Sequence, residues 1–249
     1  MFLNNFKNGL FCMKNKMAKR IIIIGGNSGI GESLLTMLVE AGHEVIAMSR
    51  NPKDVQAGSG VSHSIDISVE SPDFPDISGA IDGLVYCPGS INLKPFGSLK
   101  IKDFQKDFDI NFMGFVKTLQ VYLPNLKMSE RASIVAFSTV AVQTGMAFHT
   151  SVAAAKGAIE GFGRSLAAEL APEIRVNVIA PSLTDTPMAA RLLRNEKQRE
   201  ASVNRHPLKQ IGAAEDVASM AAYLLSDQAK WISGQIFHVD GGLSVIRGL

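Results

Sequence analysis

Three glycines stand where a phosphate could be held. Gly25, Gly29 and Gly31 lie in the run Gly25-Gly26-Asn27-Ser28-Gly29-Ile30-Gly31, between Ile21 to Ile24 and a periodic apolar segment. Glycine permits positive φ there and lets a pyrophosphate approach the backbone with no Cβ in the way. Amides freed at the start of a helix, and the positive end of its dipole, would hold the phosphate charge. The spacing differs from Gly-x-Gly-x-x-Gly, so the reading rests on position, after a strand and at the opening of a helix. A purely structural tight turn is the competing account. The next strand carries a second clue. A carboxylate at its end would accept hydrogen bonds from the adenosine ribose and favour NAD(H), but the chain reads Met48-Ser49-Arg50. Arg50 offers a guanidinium fork to a 2′-phosphate, and Ser49 removes the repulsion an acid would cause. The pair points to NADP(H) ahead of NAD(H), although a solvated loop arginine also fits Arg50.

These residues need a strand–turn–helix frame. Ile21 to Ile24 is apolar throughout, as a central parallel strand buried on both faces requires. In the following segment Ile30, Leu34, Leu35, Leu38 and Val39 share one side, and Ala41-Gly42 ends the helix. Further strands are predicted at Glu44 to Met48, Ile81 to Tyr86, Ser133 to Phe137, Arg175 to Ile179 and Gln235 to Val239. Helices are predicted over about Ile101 to Leu123, Val152 to Leu170 and Ala213 to Leu225. Repeated strand–helix units without a long linker predict a single α/β domain over residues 20–249. Its expected form is a three-layer, doubly wound Rossmann fold around a parallel sheet. Leu183 to Pro207, rich in charge, is the expected mobile insertion.

The 249 residues suffice for such a domain with a substantial core. Hydrophobic residues make up 46% and charged residues 19%, an ordinary soluble composition. A net charge of +2 gives no reason to expect nucleic acid or a membrane as partner; a small molecule is expected. Two cysteines, Cys12 and Cys87, supply neither a disulfide framework nor a Cys-x-x-Cys metal site. They read as reduced thiols in a cytoplasmic protein, with no metal expected. In Met1 to Lys19, Phe2, Leu3, Phe6, Leu10 and Phe11 are interrupted by Asn and Lys. That stretch has neither a membrane span nor a secretory signal and is expected to be a disordered extension, with Met13 and Met17 as candidate starts.

From about Arg20 to Ser244 the chain resembles the short-chain dehydrogenase/reductase family. Gly25-x-x-x-Gly29-Ile30-Gly31, with Asn27 and Ser28 inside it, looks like that family's phosphate turn. His63-Ser64-Ile65-Asp66-Ile67 resembles the segment whose Asp meets the adenine amino group, which gives Asp66, beside Ile67, that role. Tyr86-Cys87-Pro88-Gly89 stands where the family usually shows Asn-Asn-Ala-Gly, and only Gly89 is shared. Asn111 lies where the family keeps a helix-kinking Asn that anchors a water of its proton relay. Pro181-Ser182-Leu183-Thr184-Asp185-Thr186 looks like the loop that meets the nicotinamide carboxamide, with Thr186 at its hydroxyl position. Gly234 to Gly242 resembles the last strand and its turn. Members are commonly homotetramers or homodimers, and the small-residue face Ala153, Gly157, Gly161 and Ala168 would permit such packing.

The resemblance also implies chemistry. The family's reaction uses a Tyr as general acid/base, a Lys four residues later on the same helix face, and a Ser thirteen residues before the Tyr. Lys156 is present, but the Tyr position in Ser151-Val152-Ala153-Ala154-Ala155-Lys156 is Val152, and the Ser position is Thr139. The 3 tyrosines, Tyr86, Tyr122 and Tyr223, cannot be aligned there without gaps. Valine has no proton to give. His149, three residues before Val152, is the candidate replacement, because imidazole exchanges a proton near neutral pH. An ordinary loop or interface histidine is the alternative, and Thr150 or Ser151 would cap the helix. Tyr86 is a less favoured donor, with packing against the ribose or adenine its preferred role. Lys156 would hold the nicotinamide ribose with or without a tyrosine, unless it is a bare surface lysine.

Two functions follow from this reading. The first is an NADP(H)-dependent oxidoreductase acting on a carbonyl/alcohol pair. In it Thr139 holds the carbonyl oxygen, Lys156 holds the ribose, and His149 or an Asn111-bound water supplies the proton. The second is a catalytically silent dinucleotide-binding protein, a sensor or structural subunit. The substrate pocket is expected among Ser90 to Phe96, Val140 to His149 and Leu183 to Leu193, which are largely apolar.

Overall fold

The computed structural model describes residues 18–53 and 60–246. Cys12 and nearly all of the expected N-terminal extension therefore lie outside the described residues. The first strand, β1 (Arg20–Ile24), leads through the glycine turn into α1 (Gly29–Glu40), and β2 (Glu44–Ser49) and β3 (Gly60–Ser64) follow. Next come β4 (Gly83–Tyr86), α2 (Ile101–Phe108), α3 (Gly114–Lys127), β5 (Ala132–Phe137), the short α4 (Ala141–Thr144) and the long α5 (Thr150–Leu170). The chain ends with β6 (Ile174–Pro181), β7 (Thr184–Asp185), α6 (Glu196–Arg205), β8 (Gly212–Ala213), α7 (Ala214–Leu225) and β9 (Ile236–Val239).

Seven strands form one sheet in the order β3-β2-β1-β4-β5-β6-β9, and every pairing is parallel. Residues alternate across a pleated strand, so a strand covered on both faces must be apolar throughout. The isoleucine run follows that rule. Ile21 and Ile23 pack with Leu34, Leu38, Val217 and Leu224 of α1 and α7, while Ile22 and Ile24 pack with Phe115, Tyr122 and Ile159 of α3 and α5. This is the three-layer, doubly wound architecture expected from the sequence. Strand order reverses between β1 and β4, and a crevice opens at the carboxyl ends of such strands.

The expected helix over Ile101 to Leu123 is divided. α2 ends at Phe108, and a turn of π-helix, Asp109–Met113, joins it to α3. Such a bulge frees backbone carbonyls, which must find other donors. The Tyr86 hydroxyl donates to the Ile110 carbonyl at 2.6 Å, and Asn111 Nδ2 donates to the Asp107 carbonyl at 2.7 Å. Gly114 completes the fit, since a Cβ there would collide with the Tyr86 hydroxyl.

Tyr86 is therefore fully buried among core residues, in ring contact with Phe115 at 5.3 Å, and does not border the crevice. The packing role against ribose or adenine expected for it is corrected. Its side chain faces α3 because β4 alternates, and burial raises its phenol well above the usual range. The segment expected to be a mobile insertion contains α6, whose first turn is capped by Asn195 Oδ1 accepting from the Gln198 amide at 3.0 Å. No helix among the described residues is long and apolar enough to cross a membrane.

Removing the Tyr86 hydroxyl should leave the partly buried Ile110 carbonyl without that donor. Tyr86→Phe is expected to cost about 1–3 kcal/mol, read as a lower urea midpoint with unchanged slope. An unshifted midpoint would show that the π-turn does not depend on this bond.

Candidate functional site

A cleft of about 660 Å³ lies at the carboxyl ends of the central strands. Its floor is the glycine turn. Gly25 has φ +83°, and a Cβ on it would lie 3.2 Å from both Cys87 Cβ and Pro88 N. A Cβ on Gly31 would run into the Gly25 carbonyl, and one on Gly29, at φ +53°, would lie 3.1 Å from Thr186 Cγ2. Side chains are thus excluded at all three glycines, because their neighbours leave no room for a Cβ.

Gly25, Asn27, Ser28, Gly29, Ile30 and Gly31 all border the cleft, as do Ser49, Arg50, Asp66, Ile67 and Gly89. Ser49 is buried at the end of β2, and the exposed Arg50 follows it. Asp66 is held in an Asx-type turn, where the Ser68 hydroxyl and amide donate to its Oδ1 at 2.6 and 2.9 Å. Those bonds, with the Arg50 charge added, hold its carboxyl below the usual range.

At the other end of the cleft Lys156 comes up from α5, only 7% exposed, and its Nζ donates to the Phe137 carbonyl at 2.8 Å. It is not a surface lysine. Burial lowers its pKa to about 8, partly offset by Cys87. Desolvation beside it pushes the Cys87 thiol up to about 12. Val152, one helical turn earlier on α5, borders the same cleft and is 5% exposed. Thr139 and Ser138 both border the cleft, but the Ser138 hydroxyl donates to Glu160 Oε1 at 2.6 Å. Thr139 Oγ1 only accepts from the Ala141 amide, at 3.3 Å, so its proton is available to a cleft ligand.

His149 also borders the cleft. It occupies the N-cap of α5 itself, where Thr150 or Ser151 was expected, and its side chain makes no cap bond. Phe148, at φ +69°, turns the chain into the helix one residue early. The Ala147 carbonyl, 2.8 Å from His149 Nδ1, can only accept, so Nδ1 carries a hydrogen. Such left-handed non-glycine backbone is costly and concentrates at functional sites.

Pro181, Thr184 and Thr186 close the cleft from the end of β6. Asn111 stands apart from these residues. It is fully buried behind the lining, with its Oδ1 accepting from the Ser90 amide at 3.2 Å and its Nδ2 donating to Ser90 Oγ at 2.8 Å. Of the pocket segments expected from sequence, Ser90, Ile91, Leu93, Val140, Met146 and Leu192 line the wall, while Phe96 is outside it and 72% exposed.

Sequence reasoning missed one wall. Gln198, Ala201, Ser202 and Arg205 of α6 border the cleft, at the i, i+3, i+4, i+7 spacing of one helix face. That spacing was readable, but the segment's charge disguised it as loop. Behind them Ser182 Oγ donates to His206 Nε2 at 2.8 Å, and His206 Nδ1 donates to the Ser202 carbonyl at 2.7 Å. This pair anchors α6 to the end of β6.

Known proteins resemble this chain in sequence and fold. The family model described as enoyl-(acyl carrier protein) reductase matches residues 24–244. The 3-oxoacyl-[acyl-carrier-protein] reductase FabG of Thermotoga maritima is 31% identical over 243 residues, covering 91% of this chain and 98% of its own. Carbonyl reductase family member 4 of Danio rerio is 32% identical over 244 residues, covering 92% of this chain and 100% of its own. The solved aldohexose dehydrogenase of Thermoplasma acidophilum superposes with a TM-score of 0.83 at 26% identity, covering 93% of this chain and 96% of that one. With the parallel sheet and glycine turn described above, these matches show that the chain belongs to the short-chain dehydrogenase/reductase family.

Proposed function

We propose that the protein is an NADP(H)-dependent oxidoreductase acting on a carbonyl/alcohol pair, with a proton donor other than tyrosine. Residues 20–249 form its single functional domain in this reading. One observation carries it: a buried lysine and an uncommitted threonine hydroxyl share a cleft with a glycine turn that a Cβ would fill. The residues present fit a dinucleotide. The turn's amides would hold the pyrophosphate, Arg50 the 2′-phosphate, Asp66 the adenine, and Lys156 the nicotinamide ribose. When bound, the nicotinamide supplies or accepts the hydride. Thr139 donates a hydrogen bond to the carbonyl oxygen. His149, or a water held at Asn111, provides the proton. Several relatives are named as reductases of carbonyl compounds, which supports the reaction class. A homodimer or homotetramer accords with Gly161, exposed on α5 with open space around it.

Val152 is what favours a second reading, a silent dinucleotide-binding protein. Loss of a general acid costs on the order of 10²–10⁴ in rate, which slows a reductase without forbidding it.

NADPH binding followed by fluorescence, with NADPH oxidation over an aldehyde, ketone and quinone panel, separates the two. The enzyme reading expects turnover that drops at least tenfold in His149→Ala if imidazole is the donor. Binding without turnover supports the silent reading, and in that case Val152→Tyr should create activity where none existed.

Arg50→Ala should weaken NADPH far more than NADH; equal losses would contradict the choice of NADP(H).

The low pKa of Lys156 sets a pH dependence. Its ammonium, the form that favours the cofactor, is present below about pH 8 in the free protein and is lost above it. NADPH affinity should therefore fall as pH rises through about 8. Lys156→Met should remove that step, and a step that persists would assign it elsewhere.

A further inference from the structure

Beneath the cleft lies a polar cluster whose hydroxyl and carboxyl the proposed reaction has not used. Asp107, in the last turn of α2, is 1% exposed. Its Oδ1 accepts from Ser90 Oγ at 2.5 Å, a short contact, and its Oδ2 is buried with no hydrogen-bond partner among the described residues. None of the ion pairs among the described residues involves it. A carboxyl group placed this way gains little for folding, because burial without full satisfaction is costly. Fold stability alone would favour an apolar residue there.

The cluster opens on the site. Ser90 borders the cleft, and Asn111 Nδ2 donates to its Oγ at 2.8 Å. With its own proton directed to Asp107 and one lone pair taken by Asn111, Ser90 Oγ has an acceptor position left. The active end is adjacent: the Cβ position of Gly89 lies 3.2 Å from Asn111 Oδ1 and 3.5 Å from Lys156 Nζ. Cleft, hydroxyl and buried carboxyl thus form a chain of hydrogen-bonded groups that ends on an oxygen with spare capacity.

We propose that Ser90 and Asp107 form a proton relay, Ser90 exchanging a proton with the substrate oxygen or a cleft water and Asp107 storing it. The inference rests on the oxidoreductase reading and takes the proton from Ser90 and Asp107 in place of His149 or a water held at Asn111. In alcohol oxidation the substrate O–H bond breaks and its proton bonds to Ser90 Oγ. Ser90's own proton passes to Asp107 Oδ1, and the electron pair leaves as the hydride already assigned to the nicotinamide. In carbonyl reduction the same transfers run backwards: Asp107 gives its proton to Ser90 Oγ, and Ser90 gives its own to the oxygen that has become an alkoxide. Asn111 holds the Ser90 hydroxyl in register and is a positioning residue.

Asp107→Asn keeps the shape and an acceptor for Ser90 but cannot store the proton; Ser90→Ala removes the intermediate hydroxyl, and Ser90→Thr restores one. The relay predicts that Asp107→Asn and Ser90→Ala lower kcat at least tenfold and raise the solvent deuterium isotope effect on kcat. NADPH Kd should stay within about twofold, and Ser90→Thr should recover most of the rate. Independently of turnover, proton NMR of the free wild-type protein should show a strongly downfield hydroxyl resonance, absent from Asp107→Asn and Ser90→Ala. Wild-type turnover that is unchanged in Asp107→Asn overturns the relay alone, as does a wild-type spectrum without that resonance. Rate loss with an unchanged isotope effect assigns Asp107 a structural role and also overturns it. Wild-type protein that binds NADPH but turns nothing over defeats the oxidoreductase reading, and the relay with it.

Discussion

At Gly31 the first turn of α1 lies directly against the Gly25 carbonyl, so close that not even a methyl group fits between them. This approach brings helix, strand and turn together at one point, and the turn borders the cleft. Neighbouring parts are fitted to it: Cys87 and Pro88 at the end of β4 crowd Gly25, and Thr186 after β6 crowds Gly29. The end of β4 and the stretch after β6 thus meet around the turn that follows β1, although their sequence positions lie far apart. An anion on the helix N-terminus is the ligand this geometry suits.

The opposite end of the cleft depends on burial. Lys156 reaches it through the core side of α5, held by the Phe137 carbonyl, and burial shifts its proton equilibrium towards neutrality. Around it, hydroxyls are sorted by what their neighbours already take. Glu160 engages Ser138, while Thr139 keeps its proton for the cleft. The π-turn places Asn111 against Ser90, and Tyr86 satisfies the carbonyl that the turn would otherwise strand.

Much of this was legible in the residues themselves. The isoleucine run could only suit a strand covered on both faces, and the glycine turn after it specified what such a strand presents to a ligand. The π-turn was not legible as geometry, because one extra residue in a helical turn changes the apolar period too little to detect. Tyr86 was misplaced because its position at a strand's carboxyl end says nothing about which face it takes; the alternation of β4 decides that. The wall formed by α6 was hidden by charge, since its exposed face carries Glu196, Lys197 and Glu200 while Gln198 and Ser202 turn inward. Nothing in the sequence pattern singles out Asp107, and only packing reveals that it is buried.

A high-resolution crystal structure with NADP⁺ bound tests the central claim most directly. The account predicts pyrophosphate oxygens on the turn amides between Gly25 and Gly31, the 2′-phosphate against Arg50, and Lys156 Nζ turned from the Phe137 carbonyl to the nicotinamide ribose. A dinucleotide bound with its ribose away from Lys156, or with its 2′-phosphate away from Arg50, would contradict it.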